Sequence, residues 1–275
     1  MTPFTDRLAE AVRRKGPLCV GIDPRLESLP AAFRDLPPAK AYEAFGLRVL
    51  DLVAPFAGVV KPQAAFFEQL GPDGFAAMVA ILKRAKEMGF VTILDAKRGD
   101  IASTATAYAE AAFGPPWDVD ALTVNPYLGR DAVEPFVTTA RKSGRGIFVL
   151  VRTSNPGAGL FQDLVCDGRP LYRHVAEAVV SWDAGRGDVG AVVGATHPAE
   201  LRELRAAMPN VWLLIPGYGA QGGTAADVKA GYRPDGLGAV VNSSRGVTFP
   251  FHPDDRDWEA KIVAAARKAQ EELKP

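Results

Sequence analysis

Two carboxylates and two cations fall within six residues in Asp95-Ala-Lys97-Arg-Gly-Asp100, directly after the apolar run Val91–Leu94. Side chains alternate along a strand, so a strand over Val91–Lys97 turns Asp95 and Lys97 to the same side. Lys61 ends a second apolar run, Val59-Val60-Lys61, and Asp23 ends a third, Gly21-Ile22-Asp23-Pro24. Charges gathered at strand ends suit acid–base and electrostatic chemistry. Plainer roles stay open for each. Asp100 is a favoured residue type for capping a helix that starts at Ile101. Asp95 with Lys97 also reads as a structural ion pair, and Lys61 as a solvated loop lysine.

Two later stretches suit an anion. Gly217, Gly219 and Gly222 lie in Pro216-Gly-Tyr-Gly-Ala-Gln221-Gly-Gly223. Glycines let backbone N–H groups approach a phosphate closely. The run Val241-Asn-Ser-Ser244-Arg245-Gly246 adds a guanidinium, the residue type that grips a phosphate dianion. A GxGxxG spacing of this kind marks a dinucleotide fold only in a first strand–helix turn, and here it comes late. Arg152-Thr-Ser154-Asn-Pro-Gly reads as a side-chain-closed turn that could also offer Ser154 to a substrate.

The elements that must position these residues alternate. Strands are expected at Leu18–Asp23, Gly58–Lys61, Val91–Lys97, Ala121–Asn125, Ile147–Arg152, Gly190–Ala195, Val211–Pro216 and Ala239–Asn242. Several are apolar on both faces, as buried parallel strands are. Helices are expected over 40–54, 73–88, 101–113, 131–143, 171–183 and 197–208, with a last one around Trp258, Ile262, Val263 and Ala266. Phe4, Leu8 and Val12 mark the apolar stripe of a helix before the first strand. Eight strand–helix units in 275 residues point to an α/β fold. Periodicity alone does not separate a closed barrel from an open doubly wound sheet, but count and length favour a single (β/α)₈ TIM barrel domain over 1–275. In that fold the active site lies at the C-terminal ends of the strands, where Asp23, Lys61, Asp95 and Lys97 stand. The glycine-rich stretch and Arg245 then follow the seventh and eighth strands, where barrels commonly bind phosphate.

The composition is that of a globular protein, 48% apolar and 23% charged. Thirty-two basic residues balance 32 acidic ones, so no global field favours nucleic acid or an anionic membrane. The longest apolar run, Phe75–Leu82, is eight residues, against about 20 for a membrane span. Asp6, Arg7 and Glu10 stand where a signal peptide needs an apolar core, so a cytoplasmic protein is expected. The two cysteines, Cys19 and Cys166, and the three histidines, His174, His197 and His252, show no metal-ligand spacing.

Asp95-Ala-Lys97-Arg-Gly-Asp100-Ile101 resembles the Asp-x-Lys-x-x-Asp motif of orotidine 5′-phosphate decarboxylases. Lys61, the Pro216–Gly223 stretch and Ser244-Arg245 match that family in the same order along nearly the whole chain. The long connections are similar to those of the longer bacterial subgroup. Ala102 stands where shorter members usually have proline.

The resemblance implies a homodimeric, metal-free and cofactor-free lyase. It would convert orotidine 5′-monophosphate (OMP) into uridine 5′-monophosphate (UMP) and CO₂ in de novo pyrimidine synthesis. By the same resemblance Lys61, Asp95, Lys97 and Asp100 form the catalytic network, with Lys97 protonating a C6 carbanion. Asp23 would hold the ribose, Ser154 and Pro216 the pyrimidine, and Gln221, Ser244 and Arg245 the phosphate. Asp100, Ile101 and Thr104 match residues presented to a neighbouring subunit's site. Two alternatives stand beside this one. The first is a phosphosugar aldolase or metal-dependent keto-acid decarboxylase, with Glu68 and Asp95 as candidate ligands. The second is a phosphate-binding barrel without catalysis.

Overall fold

Eight parallel strands close on themselves in sequence order: β1 (Leu18–Ile22), β2 (Val59–Pro62), β3 (Val91–Arg98), β4 (Ala121–Val124), β5 (Gly146–Arg152), β6 (Val189–Val193), β7 (Leu213–Ile215) and β8 (Ala239–Ser243). β8 pairs back onto β1, with Leu18 opposite Val241. The computed structural model describes residues 2–219 and 222–275. Each strand leads to a helix on the outside: α2 (Pro38–Val53), α3 (Gly71–Glu87), α4 (Ala102–Phe113), α5 (Arg130–Lys142), α6 (Leu171–Asp183), α7 (Pro198–Ala207), α8 (Ala225–Lys229) and α9 (Trp258–Glu272). The expected (β/α)₈ barrel is therefore the observed fold.

Strand alternation divides the core in two. Leu18, Val20 and Ile22 of β1 pack outward with residues such as Phe45, Ile81 and Met78 of the helices. Cys19, Val59, Ile93, Ala121, Phe148, Val192, Leu214 and Val240 point inward and fill the barrel. The leading helix α1 (Phe4–Lys15) plugs the bottom with the stripe read from sequence, since Phe4, Leu8 and Val12 are all buried there. Phe4 meets Phe148 edge to face at 6.1 Å, a favoured aromatic geometry.

Differences from expectation lie at element ends and in the long connections. β6 and β7 are shorter than expected, although Ala195 N still donates to Pro216 O at 2.8 Å beyond the ladder. α8 is a short helix, held by a reciprocal capping box between Thr224 and Asp227. The connection after β5 carries a helical turn, Gly159–Gln162, and a small hairpin of Val165–Cys166 against Arg169–Pro170. Neither was expected. Asp167 (φ 48°) and Gly168 (φ 75°) supply the left-handed pair that such a tight turn requires.

Candidate active site

Inward positions change character as they climb the strands. Low in the barrel they are apolar. At the C-terminal end the next inward residues are Lys61 on β2, Asp95 and Lys97 on β3, Thr123 on β4 and Asn242 on β8, with Asp23 and Ser244 just beyond their strands. These line one cavity of about 520 Å³ together with Leu150, Val192, Leu214 and Pro216 from β5 to β7 and its rim. One wall is thus charged and the other apolar, and the volume suits a small ligand. Two glycines make room for it. A Cβ on Gly21 would come within 1.9 Å of Ser244 Oγ, and one on Gly194 within 3.0 Å of the Ser154 backbone.

Asp95 is the centre of the charged wall. Lys61 Nζ donates to its Oδ2 at 2.8 Å and Lys97 Nζ to its Oδ1 at 2.6 Å. Burial pushes the Asp95 carboxyl up, but the two ammonium groups more than offset this and hold it well below the usual carboxylate range. Burial likewise pushes Lys61 down, yet Asp95 and Asp23 raise it above the ordinary lysine value. The two lysines differ in access. The Lys61 side chain is 5% exposed and serves Asp95, while that of Lys97 is 46% exposed and opens onto the cavity. Lys97 also sits at φ 48°, a left-handed backbone that costs a non-glycine residue about 1–2 kcal/mol. Beneath them the buried Cys19 thiol is pushed up to about 12, chiefly by burial, and stays neutral.

At the other end of the cavity stand Ser244, Arg245 and Arg25. Among the described residues neither guanidinium is paired with a carboxylate, and Arg25 lies over the Phe66 ring at 5.2 Å. Asp23 Oδ1 and Asn242 Oδ1 are buried and take no hydrogen bond among the described residues. Such unspent acceptors need a donor that the site itself does not supply. The glycine-rich stretch departs from expectation. Gly219 N donates to Gly223 O at 2.9 Å, Gly222 N to Gly219 O at 2.9 Å and Gly223 N to Gly217 O at 3.0 Å. Those amides close the loop on itself rather than facing the cavity. Gln221 lies outside the described residues.

Of the sequence-derived site residues, Asp23, Lys61, Asp95, Lys97, Ser154, Pro216, Ser244 and Arg245 come together around this cavity. Asp100, Ile101 and Thr104 do not line it. Asp100 does not cap α4 either. Its carboxylate folds back onto the amide of Ile101 at 2.8 Å, while the helix starts one residue later, at Ala102. Glu68 does not approach Asp95 as a co-ligand, because it is paired with Arg98. Sequence reasoning missed Arg25, Gln63, Thr123, Thr153, Asn155, Gln162 and Asn242. For Thr123 and Asn242 the inward register was the available signal. Gln162 gave none, since it arrives on the insertion after β5 and accepts a hydrogen bond from Thr153 N at 2.9 Å.

The sequence profile of the Orotidine 5′-phosphate decarboxylase / HUMPS family matches residues 16–253. The chain belongs to this family. A curated relative from Rhodopirellula baltica, an orotidine 5′-phosphate decarboxylase, is 48% identical across the full length of both chains. One of the same name from Deinococcus radiodurans is 43% identical, covering 98% of this chain and 95% of the relative. Among solved structures, the Leishmania donovani OMP decarboxylase superposes with a TM-score of 0.84 at 38% identity, covering 99% of this chain and 97% of that one.

Proposed function

We propose that this cavity decarboxylates OMP to UMP and CO₂, the closing step of pyrimidine nucleotide synthesis, with Lys97 as the proton donor. The observation that carries the reading is the Lys61–Asp95–Lys97 array facing a cavity whose far end holds Arg245, unpaired among the described residues. Full-length relatives named orotidine 5′-phosphate decarboxylase support the same reaction. The pyrimidine fits the apolar wall of Leu150, Val192, Leu214 and Pro216, with Ser154 at its edge. Asp23, with its unspent oxygen, accepts from a ribose hydroxyl. Ser244 and Arg245 take the phosphate, aided by Arg25, and Gln221 belongs to the same grip by resemblance.

The residues account for the chemistry. With the ring so placed, the substrate carboxylate comes beside Asp95, which its two lysines keep ionised. Two unit charges about 4 Å apart repel by about 4 kcal/mol at an effective dielectric near 20. The repulsion is relieved as CO₂ leaves, and 4 kcal/mol corresponds to roughly three decades of rate. The C6–carboxyl bond breaks, and its electron pair stays on C6. Lys97 Nζ, already oriented by Asp95, faces that developing charge and then delivers a proton to form the C6–H bond. Lys61 is buried against Asp95 and keeps the carboxylate in place without touching the reacting carbon.

Asp100, Ile101 and Thr104 belong to a second part of the reading. They lie outside the cavity, where α4 begins, and Ile101 and Thr104 present an exposed face there, while Tyr108, Tyr127 and Leu128 are exposed as well. A second copy of the chain covering that face would bring Asp100 toward the neighbouring array, making a homodimer with shared sites. A mass in solution equal to one chain would refute this part. We place the enzyme in the cytoplasm on the strength of the metabolic reaction alone.

The test of the main reading is incubation with OMP in the presence of EDTA, following loss of substrate ultraviolet absorbance. Conversion to UMP that persists with EDTA is expected. Conversion that stops with EDTA and returns with a divalent metal would overturn the metal-free mechanism. Binding without turnover would favour the non-catalytic barrel.

A further inference from the structure

We infer that Thr123 is a positioning residue for this decarboxylation: its one hydroxyl ties the Asp95 carboxylate to the backbone that carries Lys97. The inference rests on the function proposed above and deepens it.

The β3–β4 ladder is regular at Ile93 with Ala121 and at Leu94 with Leu122, and then jumps to Arg98 with Val124. β3 therefore bulges where Asp95, Ala96 and Lys97 lie. A bulge leaves strand amides without ladder acceptors. The Ala96 and Lys97 amides both turn to Thr123 Oγ1, at 3.0 and 2.9 Å. The same oxygen donates its proton to Asp95 Oδ1 at 3.0 Å.

A hydroxyl has one proton and two lone pairs, and Thr123 uses all three. Asp95 Oδ1 thereby receives Thr123 and Lys97 together, while Oδ2 receives Lys61. Thr123 is 1% exposed, so no solvent competes for these bonds. The left-handed backbone of Lys97 is unfavourable for a lysine and persists only where its surroundings impose it. The amide of that same residue is one of the two that Thr123 anchors. One side chain thus sets both the rotation of the Asp95 carboxylate and the direction in which Lys97 leaves the strand.

Thr123→Val keeps the shape and removes the hydroxyl. Its kcat is expected to fall about 100-fold, the scale of a small misplacement of reacting groups. UMP affinity by calorimetry should stay within about threefold of wild type. Thr123→Ser restores the hydroxyl and should recover kcat to within about fivefold of wild type. Should the valine variant fail to fold, Thr123→Ala carries the same comparison, since it removes the hydroxyl without adding a methyl in its place. A hydroxyl-free variant with kcat within threefold of wild type overturns the inference, as does a serine variant as impaired as the hydroxyl-free one. Both results require a wild-type chain that converts OMP, so they leave the proposed function standing. A wild-type chain that leaves OMP unchanged overturns that function and this inference with it.

Discussion

The barrel carries a buried ionic cluster at each end, and the two are built differently. At the bottom, Asp120 Oδ1 receives Arg7 Nη2 at 2.8 Å and Arg145, and its Oδ2 receives Thr92 N at 2.9 Å and Thr92 Oγ1 at 3.1 Å. Arg145 also reaches Asp118, which pairs in turn with Lys86. The Asp120 carboxylate is saturated. At the top, Asp95 is held as firmly, but the groups around it are not closed off. Lys97 is half exposed on a strained backbone, and Asp23 and Asn242 each keep a buried oxygen without a donor among the described residues. Buried charge by itself does not mark a site. What distinguishes the top is unspent acceptor oxygens lining a cavity beside a half-exposed ammonium. The bottom cluster has its own left-handed residue, Asp118, and a donor, Arg145 Nε, without a partner among the described residues, but its carboxylates are spent.

The largest effect is expected where the half-exposed ammonium is removed. Lys97→Ala should lower kcat by at least about 10³-fold, the upper range for loss of one preorganised charge-stabilising donor. Its unfolding midpoint should stay close to wild type, because this half-exposed side chain packs little. Wild-type turnover in a decarboxylation assay would remove Lys97 from the mechanism. The counterpart at the other end is Asp120→Ala. It takes one of the two carboxylates from buried Arg145 and the side-chain acceptor from Thr92 N, so a loss of about 3 kcal/mol of stability is expected. Denaturant titration measures that loss, while kcat per folded molecule should remain within about twofold. A large kcat loss in this variant would show that the two ends are not separable.

The same contrast explains what could be read from sequence. Lys61, Asp95 and Lys97 stood out because charges at the ends of apolar runs are costly unless paired or used. The bottom cluster passed unnoticed, since Asp120 and Arg145 flank their strands and the pairing of Asp120 with Arg7 joins residues more than a hundred positions apart. Thr123 was hidden for a different reason. Threonine is an ordinary strand former, and its role depends on a bulge in the neighbouring strand. The barrel itself was legible because its eight units repeat. The hairpin after β5 was not, although Asp167-Gly168 is a recognised turn pair. The capping role left open for Asp100 did not hold, because a residue type suited to capping says nothing about where the helix begins.

Arg245 tests the far end of the upper cavity. Truncating one partner of a charge-assisted hydrogen bond costs about 1.5–3 kcal/mol, so Arg245→Ala should raise the KM for OMP by about 10- to 100-fold. On the phosphate-free nucleoside the same variant should match wild type. An equal loss on both substrates would mean that Arg245 supports the fold of the cavity rather than gripping the phosphate.

The smallest effect separates the two ends of the cavity by pH. Asp95 titrates below its usual range, so its contribution is present above that range and is lost only as pH falls through the lowered value. Lys61 titrates above its usual value, so its contribution is present below that value and is lost as pH rises through the raised one. Between these limits the Lys61–Asp95 pair keeps both charges. The substrate phosphate does not share that protection before it binds, because its second ionisation lies near pH 6. At about pH 5 only about one molecule in eleven is the dianion that Arg245 and Arg25 would grip. Lowering the pH from about 8 to about 5 should therefore raise KM by up to about tenfold and leave kcat within about twofold. Steady-state kinetics across that range provides the check. A kcat that falls in step with phosphate protonation would show that the grip and the charged wall act as one unit, and the contrast between them would collapse.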